Sequence, residues 1–269
     1  MNTIGFVGSG NMAEALIKGI VAAKLYAPDN VFISDIRAER LELLAARYGI
    51  TAVENNTDLA GKVEILVLSI KPQNMNDALE SIKDTINTET LVISIAAGIK
   101  VAKIAAALGD MAIVRVMPNT PALIGEGASA LYANERAKPL LDKALSIFSS
   151  VGKAVIVDDE DLIDAVTAVS GSGPAYYFLL MEEMIKAGTK LGLPDDVAKD
   201  LVLQTAKGAG LLAVEADKNN ESPAELRRKV TSPGGTTEAA LKVFADGKIS
   251  DLITAALSRA RDRGRELSK

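Results

Sequence analysis

The first thirteen residues constrain the fold more than any other part of this chain. An apolar, β-prone stretch, Ile4–Val7, runs directly into the pattern Gly8-x-Gly10-x-x-Ala13, and a helical pattern of apolar residues follows. A strand, a tight glycine turn and a helix N-terminus in this order are what a dinucleotide-binding turn requires. Gly8 can adopt the turn's backbone angles, Gly10 leaves room for a pyrophosphate, and Ala13 lets the helix approach the strand. A merely structural glycine turn is the alternative, because the motif alone is weakly specific.

Short apolar runs alternate with helical patterns as far as Val157. Alternation of this kind predicts a doubly wound, Rossmann-like α/β fold, a parallel sheet with helices on both faces. Continuous apolar runs such as Ile65–Leu68 suit burial on both faces of that sheet. The predicted strands are Thr3–Val7, Val31–Ser34, Ile65–Ser69, Leu91–Ile95, Ile113–Met117, Ala128–Leu131 and Ala154–Val157. The predicted helices are Met12–Ala23, Ala38–Tyr48, Met75–Ile82, Val101–Leu108 and Lys138–Ser149.

After Val157 the pattern changes to helices alone. An acidic stretch, Asp158–Asp161, opens this half, and its charges suit a helix N-terminus. Helices are predicted over 161–169, 174–191, 195–216, 223–229, 237–245 and 250–267. The change of class predicts a dinucleotide-binding domain over 1–160 and an all-α domain over 161–269. Because an all-α lobe of this size has a modest core, burial against a second subunit is expected.

Composition narrows the chemistry that this chain can perform. Its 269 residues include no Cys and no His, which removes thiolate nucleophiles, disulfides and the commonest general acid and metal ligand. We therefore predict no metal site and favour a hydride-carrying cofactor, which supplies the reactive atom itself. The net charge of −5 argues against a nucleic-acid surface, and no apolar run reaches the length of a membrane span. With no signal peptide visible, a cytoplasmic location is the expectation.

Residues at the carboxyl ends of the predicted strands are the candidates for binding the cofactor, since ligands of open α/β sheets lie there. Asp35 would accept hydrogen bonds from a ribose 2′-hydroxyl and favours NAD, whereas Arg37 and, more weakly, Ser34 favour the 2′-phosphate of NADP. Asp35 as a cap of the next helix is the alternative, and the cofactor choice stays open. Asn56 is either a ribose contact or a turn or cap residue. Further candidates near the ribose and nicotinamide are Ser69, Lys71, Pro72, Ala96 and Ala97.

Two glycine-containing loops interrupt the helical half, at 170–175 and 231–237. The second combines hydroxyl side chains with glycines just before a helix, so its amides and hydroxyls can hold a carboxylate without an arginine. An ordinary interhelical turn is the alternative. A further stiff polar turn, Pro118–Pro121, is expected at the active-site edge of the sheet.

Taken together, these motifs resemble the pyrroline-5-carboxylate reductase family, in collinear order over essentially the whole chain. The resemblance rests on Gly5–Ala13, Ile70–Gln73, Arg115–Pro121, Ser170–Tyr176 and Val230–Leu241, of which the last is the most specific. It implies an oxidoreductase that reduces the cyclic imine of 1-pyrroline-5-carboxylate to L-proline with NADPH or NADH. It also implies an N-terminal Rossmann domain, a C-terminal helical dimerisation domain and a homodimer, with a decamer as the larger assembly.

The resemblance also assigns residues. It implies that the substrate carboxylate is bound by Ser232, Gly234, Gly235 and Thr236, with Thr237 as the catalytic residue near the ring nitrogen. For the pyrophosphate it implies Gly8, Ser9, Gly10, Asn11 and Met12. The pair Asp35-Ile36 departs from the Asn-Arg type found in many relatives that use NADPH. A related reductase of β-hydroxy acids, with Lys186 or Lys190 as its catalytic lysine, and a dinucleotide-sensing regulatory module are the alternatives.

Overall fold

The computed structural model describes residues 3–267. The chain forms two compact units, one comprising Met1–Pro174 with Ser258–Lys269 and the other Ala175–Leu257. This division follows packing alone, and the functional boundary between residues 160 and 161 stays a prediction.

Within the described residues of the first unit, eight strands form a single sheet in the order β3-β2-β1-β4-β5-β6-β7-β8. The strands are β1 (Ile4–Val7), β2 (Val31–Ser34), β3 (Thr51–Ala52), β4 (Ile65–Leu68), β5 (Leu91–Ser94), β6 (Ala112–Met117), β7 (Gly127–Ala133) and β8 (Gly152–Ile156). The neighbours pair in parallel except β6 with β7, which are antiparallel. The prediction of a parallel sheet is wrong at this pair, because the link 118–126 is too short for a crossover helix.

Helices flank this sheet, as the alternating pattern predicts. They are α1 (Asn11–Ala22), α2 (Ala38–Tyr48), α3 (Asn56–Ala60), α4 (Met75–Ile82), α5 (Val101–Leu108), α6 (Leu141–Ser149) and α7 (Leu162–Val166). The predicted strands and most predicted helices are confirmed to within two residues. The short elements β3 and α3 were not predicted, and α6 is preceded by a 3₁₀ turn, Lys138–Leu140.

The sheet is buried on both faces, which explains its continuous apolar strands. Strands β1, β4 and β5 are buried at every position. One apolar cluster forms around Phe6 and Leu16, and a second forms around Leu66 and Ile113. Adjacent residues of one strand, such as Leu66 and Val67, belong to different clusters, as expected for side chains that alternate between two covered faces.

The predicted loop at 170–175 is wrong. After α7 the chain continues as a π-helical turn, Thr167–Gly171, in which the Ser172 N–H donates to the Thr167 carbonyl at 2.8 Å. A Cβ on Gly171 would lie 2.5 Å from Met117 Cε, so this turn packs closely against the end of β6. The next helix then begins at Gly173.

The remaining helices are α8 (Gly173–Lys190), α9 (Asp195–Asp217), α10 (Pro223–Lys229), α11 (Thr236–Asp246) and α12 (Ile249–Leu267). Helix α10 begins with a capping box in which Ser222 and Glu225 each bond the other's backbone N–H. Large apolar side chains on α8 and α9 are exposed, including Tyr177, Phe178 and Leu211. An apolar surface of this extent suits burial against another protein chain.

Candidate functional site

The glycine turn between β1 and α1 has the geometry that its sequence predicts. Gly8 has a φ of +88°, and a Cβ there would lie 2.8 Å from the Ser69 carbonyl oxygen, so glycine is required. A Cβ at Gly10 would meet nothing within 4 Å, which leaves the space in front of this residue open to a ligand. Ala13 is fully buried in the first turns of α1. An open approach to a helix N-terminus is the requirement for binding a pyrophosphate.

A cleft of about 290 Å³ opens in front of this turn. It lies at the carboxyl ends of β1, β4, β5 and β6, where the strand order reverses and where ligands of open α/β sheets bind. Of the predicted cofactor residues it is lined by Gly10, Asn11, Met12, Ser69, Lys71, Pro72, Ala96 and Ala97. Ile70, Ile95 and Pro118 also line it and were not predicted, although each belongs to a strand-end segment already singled out. This set of eleven residues is called the cofactor cleft below.

Ser69 stabilises the glycine turn through two hydrogen bonds. Its hydroxyl donates to the Gly8 carbonyl at 2.6 Å, and its backbone N–H donates to the Val7 carbonyl at 2.9 Å. Both bonds tie the end of β4 to the end of β1. Ser69 therefore fixes the shape of the turn as well as lining the cleft.

The carboxylate of Asp35 lies just beyond the end of β2. The Ser9 N–H donates to Oδ2 at 2.7 Å, and the Arg37 guanidinium donates to both carboxylate oxygens at 3.0 Å. Burial raises the pKa of Asp35, but the donors on Arg37 and Ser9 outweigh it and hold that pKa below its ordinary value. The residue at the N-cap of α2 is Arg37, so the alternative that Asp35 caps this helix is wrong.

Sequence reasoning missed a polar cluster beside this carboxylate. Arg40 Nε donates to the Ser9 carbonyl at 2.7 Å, and its Nη2 pairs with Glu14 at 2.5 Å. Arg47 and Tyr48 also donate to Glu14, at 2.6 and 2.9 Å. Burial raises the pKa of Glu14, but these donors together hold it below its ordinary value. The helical spacing of Arg40, Arg47 and Tyr48 on α2 could have indicated a shared face, but the partner on α1 could not be read from it.

Ser34 and Asn56 bond to each other rather than standing free. The Ser34 hydroxyl donates to Asn56 Oδ1 at 2.7 Å, and Asn56 Nδ2 donates to Ser81 Oγ at 3.2 Å. The cap of α3 is Asn55, whose side chain accepts the Asp58 N–H. The alternative that Asn56 is the cap residue is therefore wrong. Asn56 instead lies beside the end of β2, where it bonds Ser34.

A buried ionic cluster supports the loop that carries Ala96 and Ala97. Arg115 on β6 is 2% exposed and pairs with Glu160 at 3.1 Å and with Asp164 at 3.5 Å. Glu160 Oε1 also accepts the N–H of Val101, the first residue of α5, at 2.8 Å. The cluster thus connects β6 with the start of the helix that follows this loop.

Asn119 holds the predicted polar turn in place. Its Nδ2 donates to the Ser170 carbonyl at 3.1 Å, and its Oδ1 accepts the Ala128 N–H at 2.8 Å. With 9% of its surface exposed, this side chain serves the fold of the turn.

The loop 231–237 lies in the second unit and leads into α11. Gly234 has a φ of +70°, and its N–H donates to the Glu238 carboxylate at 2.7 Å. The Gly235 N–H donates to the Ser232 carbonyl at 3.0 Å. Ser232 and Thr236 are exposed, and Thr237 is half-buried. The Gly234 amide thus donates to a carboxylate of the chain itself. The binding roles of this loop and of the cleft residues stay predictions.

Among the residues that the structure describes, no helix is both long enough and apolar enough to cross a bilayer.

Comparisons with known proteins cover the whole chain. A family model described as pyrroline-5-carboxylate reductase dimerisation matches residues 160–267, and one described as NADP oxidoreductase, coenzyme F420-dependent, matches residues 3–98. The chain is 46% identical to a pyrroline-5-carboxylate reductase of Pseudomonas aeruginosa, over 99% of this chain and 97% of that protein. It is 41% identical to one of Synechocystis, over 99% and 98%.

Solved structures give the same result. A pyrroline-5-carboxylate reductase from Coxiella burnetii superposes with a TM-score of 0.94 at 39% identity, covering 100% of this chain and 99% of that one. A Plasmodium falciparum pyrroline carboxylate reductase with NADP bound gives a TM-score of 0.87 at 30% identity, covering 100% and 98%. A 3-hydroxyisobutyrate dehydrogenase from Mycobacterium tuberculosis, covered over 67% of its length by 72% of this chain, gives 0.54 at 17% identity, a likeness of fold alone.

Proposed function

The chain belongs to the pyrroline-5-carboxylate reductase family, and on that premise we propose which of its residues perform the reaction. It is an NAD(P)H-dependent oxidoreductase that reduces 1-pyrroline-5-carboxylate to L-proline, a step of proline biosynthesis. It forms a homodimer through its helical half. The proposal extends to a decamer assembled from five such dimers, a cytoplasmic location, a cofactor domain over 1–160 and a substrate and dimerisation domain over 161–269.

The open glycine turn carries the assignment of the cofactor site. A Cβ would find free space at Gly10 and a backbone clash at Gly8, so the turn is built for a group that approaches the backbone closely. In the proposal the pyrophosphate lies against Ser9, Gly10, Asn11 and Met12, at the N-terminus of α1. The ribose and nicotinamide lie along Ser34, Asp35, Arg37, Asn56, Ser69, Lys71, Pro72, Ala96 and Ala97.

The substrate carboxylate is assigned to the loop 231–237. Its amides, with the hydroxyls of Ser232 and Thr236, form donors at the N-terminus of α11, where a negative charge is favoured. Gly234 and Gly235 keep the backbone accessible. The Gly234 N–H donates to the Glu238 carboxylate, so a substrate carboxylate bound at this amide would take the place of Glu238.

A bound nicotinamide would supply the hydride for the imine carbon, and the residues of this chain orient the substrate toward it. The electron pair of the C=N bond moves to the nitrogen, which carries a proton when the substrate enters as the iminium ion. Protonation of the imine nitrogen before binding removes the need for a strong acid in the protein, which agrees with a chain that has no His. Thr237 is proposed to hydrogen-bond the ring nitrogen and hold the imine carbon in line for transfer.

Dehydrogenation of a β-hydroxy acid, with Lys186 on α8 as the catalytic lysine, is not favoured by the structure. Lys186 pairs with Glu182 and with Glu183, at 2.5 and 2.8 Å, and these partners hold its pKa well above its ordinary value. An ammonium stabilised in this way is a poor proton donor or acceptor near neutral pH.

The decisive experiment follows the oxidation of NADH and NADPH by the purified chain with 1-pyrroline-5-carboxylate. Thr237→Ala should lower kcat at least tenfold and leave the Kd of the cofactor within about twofold, because the hydroxyl acts on the substrate. Thr254→Ala, which removes an exposed threonine hydroxyl from α12, is the matched control and should change neither. Equal loss of kcat and of cofactor affinity in Thr237→Ala, or loss of neither, contradicts the proposed role.

A ligand-bound crystal structure gives an independent test. Hydride transfer requires the substrate held by the loop 231–237 of one subunit to reach a cofactor cleft. A bound substrate analogue found away from this loop in both subunits of the dimer would refute the assignment.

A further inference from the structure

The surroundings of Asp35 bear on a question that the sequence leaves open, namely whether this chain prefers NADH or NADPH. The Asp35 side chain is 7% exposed. Its position is tied to the glycine turn, because Oδ2 accepts the N–H of Ser9 and the Gly8 N–H bonds to the neighbouring Ser34 carbonyl. A carboxylate fixed at the end of the second strand is the group that recognises the unphosphorylated ribose in dinucleotide-binding folds.

The donors around Asp35 differ in how easily a ligand can replace them. Two backbone N–H groups, of Ser9 and Arg37, are parts of the folded chain. The other two donors belong to the guanidinium of Arg37, whose side chain is 59% exposed. Ribose hydroxyls can therefore take the place of these two donors, one O–H for one N–H, while the Ser9 N–H keeps the carboxylate in position.

The nearby cations do not form a free phosphate site. Within the described part of the chain, the guanidinium of Arg37 is engaged by Asp35, that of Arg40 by Glu14 and the Ser9 carbonyl, and that of Arg47 by Glu14. These three arginines outnumber the two carboxylates, so net charge alone would favour a 2′-phosphate. The position of the Asp35 carboxylate at the ribose end of the site is what disfavours it. A 2′-phosphate would bring its negative charge against the Asp35 carboxylate, and the two charges repel because a carboxyl of ordinary pKa is already ionised at neutral pH.

We propose that this chain binds NADH in preference to NADPH, and that Asp35 sets the preference. The inference rests on the proposed function, since it concerns the cofactor of the same reaction. Arg37 in this arrangement is a partner of Asp35 that the ribose displaces, and it does not act as a clamp for the 2′-phosphate.

The test measures binding by isothermal titration calorimetry with NADH, NADPH, 5′-ADP and 2′,5′-ADP. The last two differ by the 2′-phosphate alone and isolate the ribose end from the nicotinamide. In the native chain the 2′-phosphate should weaken binding about tenfold or more in both pairs, and the difference should shrink as salt is added. Equal or tighter binding of NADPH and 2′,5′-ADP by the native chain overturns the inference.

Asp35→Asn removes the charge but keeps an oxygen that can accept the Ser9 N–H. It should shift the NADPH-to-NADH ratio of Kd values at least tenfold toward NADPH. Glu39→Gln, an exposed change of the same charge on the first turn of α2, is the matched control and should shift the ratio less than twofold. Equal shifts in the two variants overturn the role of Asp35. Turnover of 1-pyrroline-5-carboxylate is measured alongside, since its absence with both cofactors would refute the proposed function while the native binding ratio still judges Asp35.

Discussion

Replacing Arg115 by Met tests whether the buried ionic cluster stabilises the first unit. The guanidinium lies on β6, 2% exposed, between Glu160 at 3.1 Å and Asp164 at 3.5 Å. Methionine fills a similar volume without a charge, so the expected loss of stability comes from the two carboxylates that are left without the guanidinium. Breaking a buried pair by removing one partner costs about 3–5 kcal/mol.

Most of that loss should come from Asp164. Glu160 is 18% exposed and keeps the Val101 N–H as a donor, whereas Asp164 is 4% exposed and is left with Arg265, 3.9 Å away. At about 2–4 °C per kcal/mol for a chain approaching this size, the melting temperature should fall by roughly 6–20 °C. The assay is thermal and urea unfolding followed by far-UV circular dichroism, at one fixed protein concentration because the chain is a dimer.

Two further variants make the result interpretable. Arg136→Met removes a half-exposed arginine that pairs with Glu89 and Asp110 on the surface, and it should cost less than about 1 kcal/mol. A triple variant, Arg115→Met with Glu160→Gln and Asp164→Asn, leaves no unpaired charge buried in the cluster, since Arg265 is half-exposed, and it should regain much of the lost stability. The reasoning is refuted if Arg115→Met is as mild as Arg136→Met, or if the triple variant is less stable than Arg115→Met alone.

Three other substitutions test single features of the structure. Gly8→Ala should weaken cofactor binding at least tenfold by calorimetry, because its Cβ would meet the Ser69 carbonyl oxygen at 2.8 Å in a backbone with positive φ; unchanged affinity contradicts this. Ser222→Ala should cost about 1 kcal/mol in urea unfolding through loss of the α10 capping box, and an unaltered midpoint would argue against it. Burial, with the charge of Glu64, raises the pKa of Tyr26 to about 12. The protonated phenol therefore contributes its full share of the free energy of unfolding below about pH 10, and this contribution is lost as the pH rises toward 12. The free energy of unfolding of Tyr26→Phe should decline less steeply over this range, and an equally steep decline refutes the assignment.

Local signals were enough to predict the fold class and the geometry of the glycine turn. The pattern Ile4–Val7 followed by Gly8, Gly10 and Ala13 specifies strand, turn and helix through backbone geometry alone, and the structure confirms each. The alternating apolar runs predicted the remaining strands because a strand buried on both faces is apolar throughout. The two-residue strand β3 and the five-residue helix α3 were missed, since segments so short have no measurable periodicity.

What the sequence by itself determined is the set of elements and the chemistry open to them: a Rossmann turn, a helical half, and a hydride carrier in a chain without His or Cys. The tertiary structure alone decided the partners. Asp35 could be paired with Ser9 and Arg37, Glu14 with Arg40, and Arg115 with Glu160 only once the strands and helices had been placed side by side. The same holds for the antiparallel course of β7. Backbone conformation depends mainly on residues that are neighbours in the chain, so local sequence predicts it. An ion pair or a strand pairing depends on distances in space between residues far apart in sequence.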